Sequence, residues 1–468
     1  MSFGLNEDEA LCGAAAAACF ARIDGLELLL TRFNDTSDVA VIRGLPDGGI
    51  ATVARETMDV LVASARVCAA TGGAFDPTVE RRNFAELTLD VEHVRVGVRK
   101  GPVALDFGGT NVRVLRIRLD GHGKFEVLKK VAKPLRVEGV YDFVGEGSTA
   151  EQQFDFIAEL VDEAIEGDHT TKYLLGHTFS FPSEQTDLYN AKLIIWTKEF
   201  ATAGVEGKVV NDLLKEALHR QGIDNVEPTA VINDTVAVLL AAAYKQADTY
   251  IGSIYATGHN TCYFEPFKGK AERPMILNLE SGGFMKLAPN RFDAEFDAQS
   301  EKPGEQRLEK MVSGRYMGEL FGMAIAELLG EKGKKYGFTS IDMSNIILDE
   351  TAGLTEVGRI VSAKTGHDLE EVDRQRLQEL ASAFVVRSAR LVTATYVGII
   401  WQLAGDDAIK KQHIAIDGSV YEKMPLAKEN IMRALSELLG ESASLVDTVL
   451  ENGGSGLGAA IAAAMSQK

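Results

Sequence analysis

The sequence predicts an α/β fold of at least two lobes, and three observations carry that prediction. Apolar segments of strand character alternate with long helical stretches along the chain. The 468 residues exceed the usual ceiling for a single hydrophobic core. A short strand followed by a glycine-bearing loop recurs at 103–111, 250–260 and 413–419, a pattern that suggests related lobes.

Taken in order, residues 9–34 and 53–71 read as helices. In the second, Val60, Leu61, Ala65 and Cys68 recur at helical spacing, and Gly72-Gly73 ends it. Residues 86–98 alternate and are rich in valine, so they read as strands. Val103-Ala104-Leu105 is a short strand running into a loop, and 112–119 is the second strand of a hairpin. Residues 150–167 are helical, a short helix covers 235–244, and 308–330 and 372–404 read as long amphipathic helices. No low-complexity tail or short-period repeat is present.

Composition narrows the function. Hydrophobic residues make up 46% and charged residues 25%, ordinary for a soluble globular protein. A net charge of -19 disfavours nucleic acid and anionic membranes as partners. Cys12, Cys19, Cys68 and Cys262 lack metal-ligand spacing and fit a reducing compartment. The alanine run Ala14–Ala18 follows acidic Glu7, Asp8 and Glu9, unlike a signal peptide, and no run of about 18 apolar residues spells a membrane span. Cytoplasm is the expected location, and a homo-oligomer is compatible with the sequence.

Six motifs carry chemistry. Leu105-Asp-Phe-Gly-Gly-Thr-Asn-Val-Arg113 offers a polyphosphate bare backbone amides at Gly108 and Gly109. Thr110 and Asn111 add side-chain donors, Arg113 adds charge, and Asp106 at the strand end can hold a metal through water. A lone Gly-Gly would be a hairpin turn; the full string argues for more. Gly176-His-Thr-Phe-Ser-Phe-Pro182 and Trp196-Thr-Lys-Glu-Phe200 place Ser180, Thr197 and Lys198 as groups for sugar hydroxyls, although each alone reads as a strand end or surface loop. Val231-Ile-Asn-Asp-Thr235 sets a carboxylate at a sheet's carboxyl edge, where ligands bind in open α/β sheets. Asp234 there can take the proton of an attacking hydroxyl; equally, Asn233 or Asp234 can cap the following helix, and both can hold together. Gly252-Ser-Ile-Tyr-Ala-Thr-Gly-His-Asn260 is a second glycine-and-threonine loop. Glu280 and Glu305 can grip adjacent sugar hydroxyls, against the bland reading of two solvated glutamates among 68 acidic residues. Ile416-Asp-Gly-Ser419 is the sixth motif, with Gly453-Gly-Ser-Gly456 opening a final alanine-rich helix whose N-terminus suits an anion or an adenosine, or is a plain helix start.

In order and spacing these motifs, with Glu309-Lys-Met-Val-Ser-Gly314, resemble the eukaryotic-type hexokinases and glucokinases over roughly 103–468. The resemblance implies a two-lobed actin-like ATPase (ribonuclease H-like) fold with Mg2+ and ATP in the cleft. It implies transfer of a phosphoryl group to the 6-hydroxyl of glucose or a related hexose, within carbohydrate metabolism. Ser180, Thr197, Lys198, Asn233, Asp234, Asn260, Glu280 and Glu305 match hexose-binding positions, with Asp234 as the base and Lys198 offsetting developing charge. Asp106, Gly108, Gly109, Thr110, Asn111, Arg113, Thr257, Gly258, Gly418, Ser419 and Gly454 match nucleotide-binding positions. No residue is assigned as a direct metal ligand. The chain departs from the pattern at Ala256, where glycine is usual, at Glu199 after Trp-Thr-Lys, at Ser281 in place of an aromatic, and at Gly453 in place of aspartate.

The first hundred residues differ. Leu30 to Val41, the string Ala70-Thr-Gly-Gly-Ala-Phe-Asp-Pro-Thr-Val79 and the approach 87–109 are similar to flavin transferases of the ApbE type. That family's later substrate and metal motifs have no counterpart here. The expected organisation is an extra α+β segment at 1–102, structural rather than catalytic and joined at the shared turn, a small lobe at 103–227 plus 457–468, and a large lobe at 228–456. A flavin transferase and a non-catalytic sugar sensor are the competing functions.

Overall fold

The structure, a computed structural model, describes residues 84–85, 101–107, 111–197, 200–265, 275–405 and 407–466. The chain divides into two compact units, Met1–Arg81 and Arg82–Lys468, and the described residues lie in the second. The helices expected at 9–34 and 53–71 and the strands expected across 86–98 fall outside the described residues.

Along the chain run β1 (Phe84–Ala85), β2 (Val103–Phe107), β3 (Asn111–Gly121), β4 (Lys124–Pro134), β5 (Arg136–Val137), β6 (Tyr141–Asp142), α1 (Ala150–Ile165), β7 (Tyr173–Phe179), β8 (Ser183–Glu184), β9 (Lys192–Leu193), α2 (Val210–Arg220), β10 (Val226–Ile232) and α3 (Asp234–Lys245). Then come β11 (Thr249–Tyr255), β12 (His259–Glu265), β13 (Met275–Asn278), α4 (Arg291–Gln299), α5 (Arg307–Val312), α6 (Gly314–Leu328), α7 (Ser340–Ile347), α8 (Thr355–Thr365) and α9 (Glu371–Ala404). The chain closes with β14 (Gln412–Asp417), α10 (Ser419–Lys423), α11 (Ala427–Leu439), β15 (Val446–Leu450) and α12 (Gly454–Met465).

Two sheets organise the unit. The first has the order β10-β7-β2-β3-β4 and the second β1-β13-β12-β11-β14-β15. Apart from β1 the two are built alike. In each, a three-stranded antiparallel meander (β2-β3-β4, β11-β12-β13) continues into two parallel strands (β7 and β10, β14 and β15). Of the three recurring segments, 103–111 and 250–260 therefore open the meander of each sheet, and 413–419 supplies a parallel strand of the second. β10 pairs with β7, so the first sheet includes the chain through Ile232.

Two apolar helices separate the sheets. α12 lies on the first sheet, where Thr178 Oγ1 donates to the Ser455 carbonyl (2.9 Å), and α3 lies beneath the second. They touch backbone to backbone: a Cβ on Gly458 would come 2.1 Å from the Ala237 carbonyl oxygen, and one on Gly176 would come 1.8 Å from that of Ala459. Every residue of α3 from Thr235 to Tyr244 is buried, which explains why it lacks an amphipathic pattern. A core of Phe154, Ile157, Leu160, Leu175 and Leu214 fills the first lobe, and α9 runs through that of the second with Phe384, Val385, Val392, Tyr396 and Ile400. By length and composition α9 passes for a membrane span, but half of its most apolar stretch is buried in this core.

The segment expected as one helix at 308–330 is two, because Ser313 is extended (ψ 155°) and α6 restarts at Gly314. The apolar periodicity runs across the break, so only a tertiary contact reveals it: Gly314 N–H donates to the Ala256 carbonyl (2.8 Å).

Candidate active site

Parallel strands end at one edge of each sheet, which gathers the sequence motifs. At the first edge stand Asp106 near the end of β2, Ser180 after β7, and Asn233 and Asp234 after β10. At the second stand Ala256–Gly258 after β11, Asp417 ending β14, and Glu451 to Gly454 after β15. Burial together with the charges of Glu451, Asp234, Asp106 and Glu422 pushes the Asp417 carboxyl up to about 6, so carboxylates from the two edges are near enough to act on one another. Asp417 was not singled out in the sequence, although it stands beside Gly418 in the motif.

Asp234 opens α3. Asn233 caps that helix, its Oδ1 accepting from Thr235 N (3.0 Å) and Thr235 Oγ1 (2.7 Å). The expected cap is thus real, and it leaves Asp234 on the first turn at the positive end of the helix dipole. Asp234 Oδ1 also accepts from Thr235 N at 2.8 Å.

A polar network extends from this cap. Thr235 Oγ1 lies 3.2 Å from Asn278 Oδ1, and Asn260 Nδ2 donates to that same oxygen (2.9 Å). Asn278 Nδ2 (2.7 Å) and Asn260 Nδ2 (3.2 Å) both reach Glu280 Oε1, while Asn260 Oδ1 accepts from Ser281 N (3.1 Å). Glu280 has a left-handed backbone (φ 50°), a conformation a non-glycine residue keeps only when its surroundings enforce it. Asn278 and Thr235 are working parts of this network that the sequence motifs contained without marking.

Glu305 lies on an exposed loop, its N–H 3.3 Å from the Lys302 carbonyl. One turn later Glu309, on the inner side of α5 and half-buried, accepts from His259 N through Oε2 (3.0 Å). A Cβ on Gly282 would come 3.1 Å from Glu309 Cβ, and one on Gly258 would come 2.8 Å from its Oε2. The helix that begins at Arg307 turns Glu309, and not Glu305, toward the Glu280 turn. The Glu-Lys-Met string was the available signal.

At the first glycine loop, Arg113 Nη1 donates to Asp106 Oδ2 (2.9 Å) across the β2–β3 register. Asn111 starts β3 and is exposed, while Gly108, Gly109 and Thr110 lie outside the described residues. The Ala256–Gly258 turn is held by backbone: Ala256 N to Gly258 O (3.0 Å), Gly314 N to Ala256 O and Arg315 N to Thr257 O (3.3 Å). Gly418 lies directly against it. Its φ is 137°, and a Cβ there would come 2.3 Å from the Tyr255 carbonyl oxygen, so no other residue fits. Ser419 opens α10 and Gly454 opens α12 beside Glu451.

Thr197 follows Trp196, a member of a cluster of aromatic rings. Phe107, Phe179, Phe181, Trp196 and Phe200 pack with centroids 4.7–6.4 Å apart, and Trp196 Nε1 donates to the Thr202 carbonyl (2.9 Å). Lys198 lies outside the described residues.

Among the described residues no three His, Cys, Asp or Glu side chains are grouped to hold a metal directly. Mg2+ needs no such cage, since it retains water and binds through one or two carboxylates and the phosphates of its nucleotide. Asp106 and Asp417, in a cleft with excess negative charge, suit that mode.

Comparison with known proteins decides the family. Hexokinase-1 of Schizosaccharomyces pombe is 32% identical over 398 residues, spanning 78% of this chain and 79% of that protein. The chain belongs to the hexokinase family. Two hexokinase family models match residues 87–244 and 250–465. Hexokinase-2 of Candida albicans is likewise 32% identical, over 78% of this chain and 80% of its own. A hexokinase crystal structure superposes with a TM-score of 0.71 at 30% identity, covering 87% of this chain and 93% of the other. A Schistosoma mansoni hexokinase complexed with glucose superposes with a TM-score of 0.66 at 28% identity over 78% of this chain and 85% of its own. The two lobes around the cleft are thus those of a hexokinase-type sugar kinase. Residues 3–109 match the ApbE family, overlapping the first hexokinase match over 87–109 as the shared Asp-Phe-Gly-Gly approach implies.

Proposed function

We propose that this hexokinase transfers the terminal phosphoryl group of Mg2+-ATP to the 6-hydroxyl of glucose or a closely related hexose. The observation that carries the reading is the continuous network from the Asn233 cap through Thr235, Asn278 and Asn260 to Glu280, with Asp234 at its origin and the Thr257 and Gly418 turns beside it.

The hexose lies on this network. Glu280 and Glu309 accept from its hydroxyls, and Asn260, Ser180 and Thr197 add further contacts. Since Asn233 Oδ1 is committed to the helix cap, any hydrogen bond that Asn233 donates to the sugar comes from Nδ2. Asp234 takes the proton as the 6-oxygen attacks the γ-phosphorus; the P–O bond to the leaving nucleoside diphosphate breaks and the sugar phosphate forms. Arg113, Lys198 and the backbone amides of the glycine turns meet the phosphates. Bound Mg2+ supplies charge neutralisation for the polyphosphate. Positioning dominates such a reaction, and the cleft must exclude water to avoid wasting the donor.

The test is glucose-dependent nucleotide consumption measured with ATP and several other donors, on wild type and on Asp234→Ala. The variant should lose about a hundredfold to ten-thousandfold in kcat while still binding glucose by calorimetry. Hexose binding by wild type without turnover would make the protein a sugar sensor. Near-normal turnover by the variant would reduce Asp234 to a helix-start residue.

A further inference from the structure

One of the chain's departures from the family pattern makes a side-chain contact of its own. Ser281 stands where an aromatic is usual, and its hydroxyl lies 3.4 Å from Nε2 of His259, the residue that follows the Ala256–Gly258 turn and opens β12. We propose that His259 is a positioning residue for hexose binding, holding the Glu280 turn in place through the Ser281 hydroxyl. The inference rests on the reading of Glu280 and Asn260 as hexose ligands.

The geometry fixes the direction of each bond. His259 Nδ1 lies 3.0 Å from the Ile254 carbonyl, which can only accept, so Nδ1 carries the hydrogen. In a neutral ring Nε2 is then a bare acceptor, and Ser281 must be the donor. The ring is neutral at any ordinary pH, because burial lowers its pKa to about 4. It is also immobile, since His259 is buried and its own N–H is held by Glu309 Oε2.

What this ring supports needs support. Glu280 is left-handed, and Ser281 is the first residue of the short 3-10 turn Ser281–Gly283 that follows it. That turn is tied at its backbone by Asn260 Oδ1 and at its hydroxyl by His259 Nε2. Neighbouring residues of one strand therefore grip the same serine at two points, which sets the direction of the Glu280 carboxylate. The Ala256–Gly258 turn leans on the ring less, because Ala256, Thr257 and Gly258 are held by main-chain bonds to α6 and to one another and the ring adds only its bond to the Ile254 carbonyl at the base of the turn. Loss of the ring should separate the two substrates.

The experiment uses the full chain and four variants: His259→Leu, His259→Gln, Ser281→Ala and the His259→Leu/Ser281→Ala double. Expected are a rise in the KM for glucose of about five- to tenfold for His259→Leu and for Ser281→Ala, and a KM for ATP within about twofold of wild type. His259→Gln, which can donate and accept as the ring does, should recover most of the loss. The double variant should be no worse than the worse single variant, as for two ends of one contact. An unchanged glucose KM in Ser281→Ala, a glutamine variant as poor as leucine, or additive single effects would each overturn the proposal. Should His259→Leu melt early, the Ser281→Ala and glutamine arms still decide. A wild type that neither binds nor phosphorylates any hexose would instead sink the functional reading itself.

Discussion

Glu305 and Glu309 are one helical turn apart, yet only Glu309 faces the Glu280 turn. Glu309→Ala should weaken glucose affinity by roughly 1.5–3 kcal/mol, the range for a charge-assisted contact, whereas Glu305→Ala should change it less than about twofold. Titration calorimetry on both variants checks this, and equal losses would restore Glu305 to the site. His177 makes a second residue-scale case. It is fully buried on β7, stacked near Phe107, and neither ring nitrogen finds a partner among the described residues. Burial lowers its pKa to about 3 from an ordinary 6.5. Between those values the unfolded chain binds the proton and the folded chain does not, so stability falls as pH drops below 6.5. At pH 5 that cost is up to about 2 kcal/mol. His177→Phe should raise Tm at pH 7 by removing an unpaired polar group and should flatten the decline between pH 7 and pH 5. A variant that melts lower at both pH values would mean that the ring is better accommodated than its contacts imply.

At the scale of elements, the α3–α12 pair is the joint between the sheets, and it works because small residues let two backbones approach. Gly458→Val pushes a side chain into the Ala237 carbonyl, which no rotamer change relieves. It should cost about 1–3 kcal/mol or more, visible as a lower melting temperature and a lower kcat, since Asp234 opens α3. Gly440→Ala makes a useful control: nothing lies within 4 Å of a Cβ there, although its φ of 55° adds local backbone strain, so kcat should be spared. The break at Ser313 belongs to the same scale. Helical periodicity cannot report it, because α5 and α6 both bury one face in the same core, with Met311 and Val312 before the break and Met317 and Leu320 after it. Restarting the helix at Gly314 is what brings its first amides to Ala256 and Thr257.

For the whole molecule, the repeated sheets carry the sequence motifs at the carboxyl edges of their parallel strands. The role of the N-terminal segment is tested by truncation. Phe84 and Ala85 pair with Leu277 and Ile276 of β13, extending the second sheet next to the strand that leads into Glu280. Deleting residues 1–95 removes that pairing and exposes the edge of β13. The truncated chain should express poorly or melt lower than the full one, and the intact protein should show no flavin transfer. A soluble, fully active truncation would make the segment a detachable appendage. Much of this protein was determined by its sequence alone. Strand, turn and acid occur at local spacing, so β2, β11 and β14, the Asn233 cap and the sugar and phosphate motifs were legible there. Glu280 and Asn260, both read from the sequence as candidates for the sugar, lie in one hydrogen-bond network. What the sequence could not decide depends on contacts between distant segments. The choice of Glu309 over Glu305 follows from where α5 begins, and the sheet membership of β10 from a partner strand far upstream. The influence of Asp106 and Asp234 on Asp417 follows from two sheets joined through α3 and α12. Local physical chemistry fixes which residues can carry chemistry, and only packing fixes which of them meet.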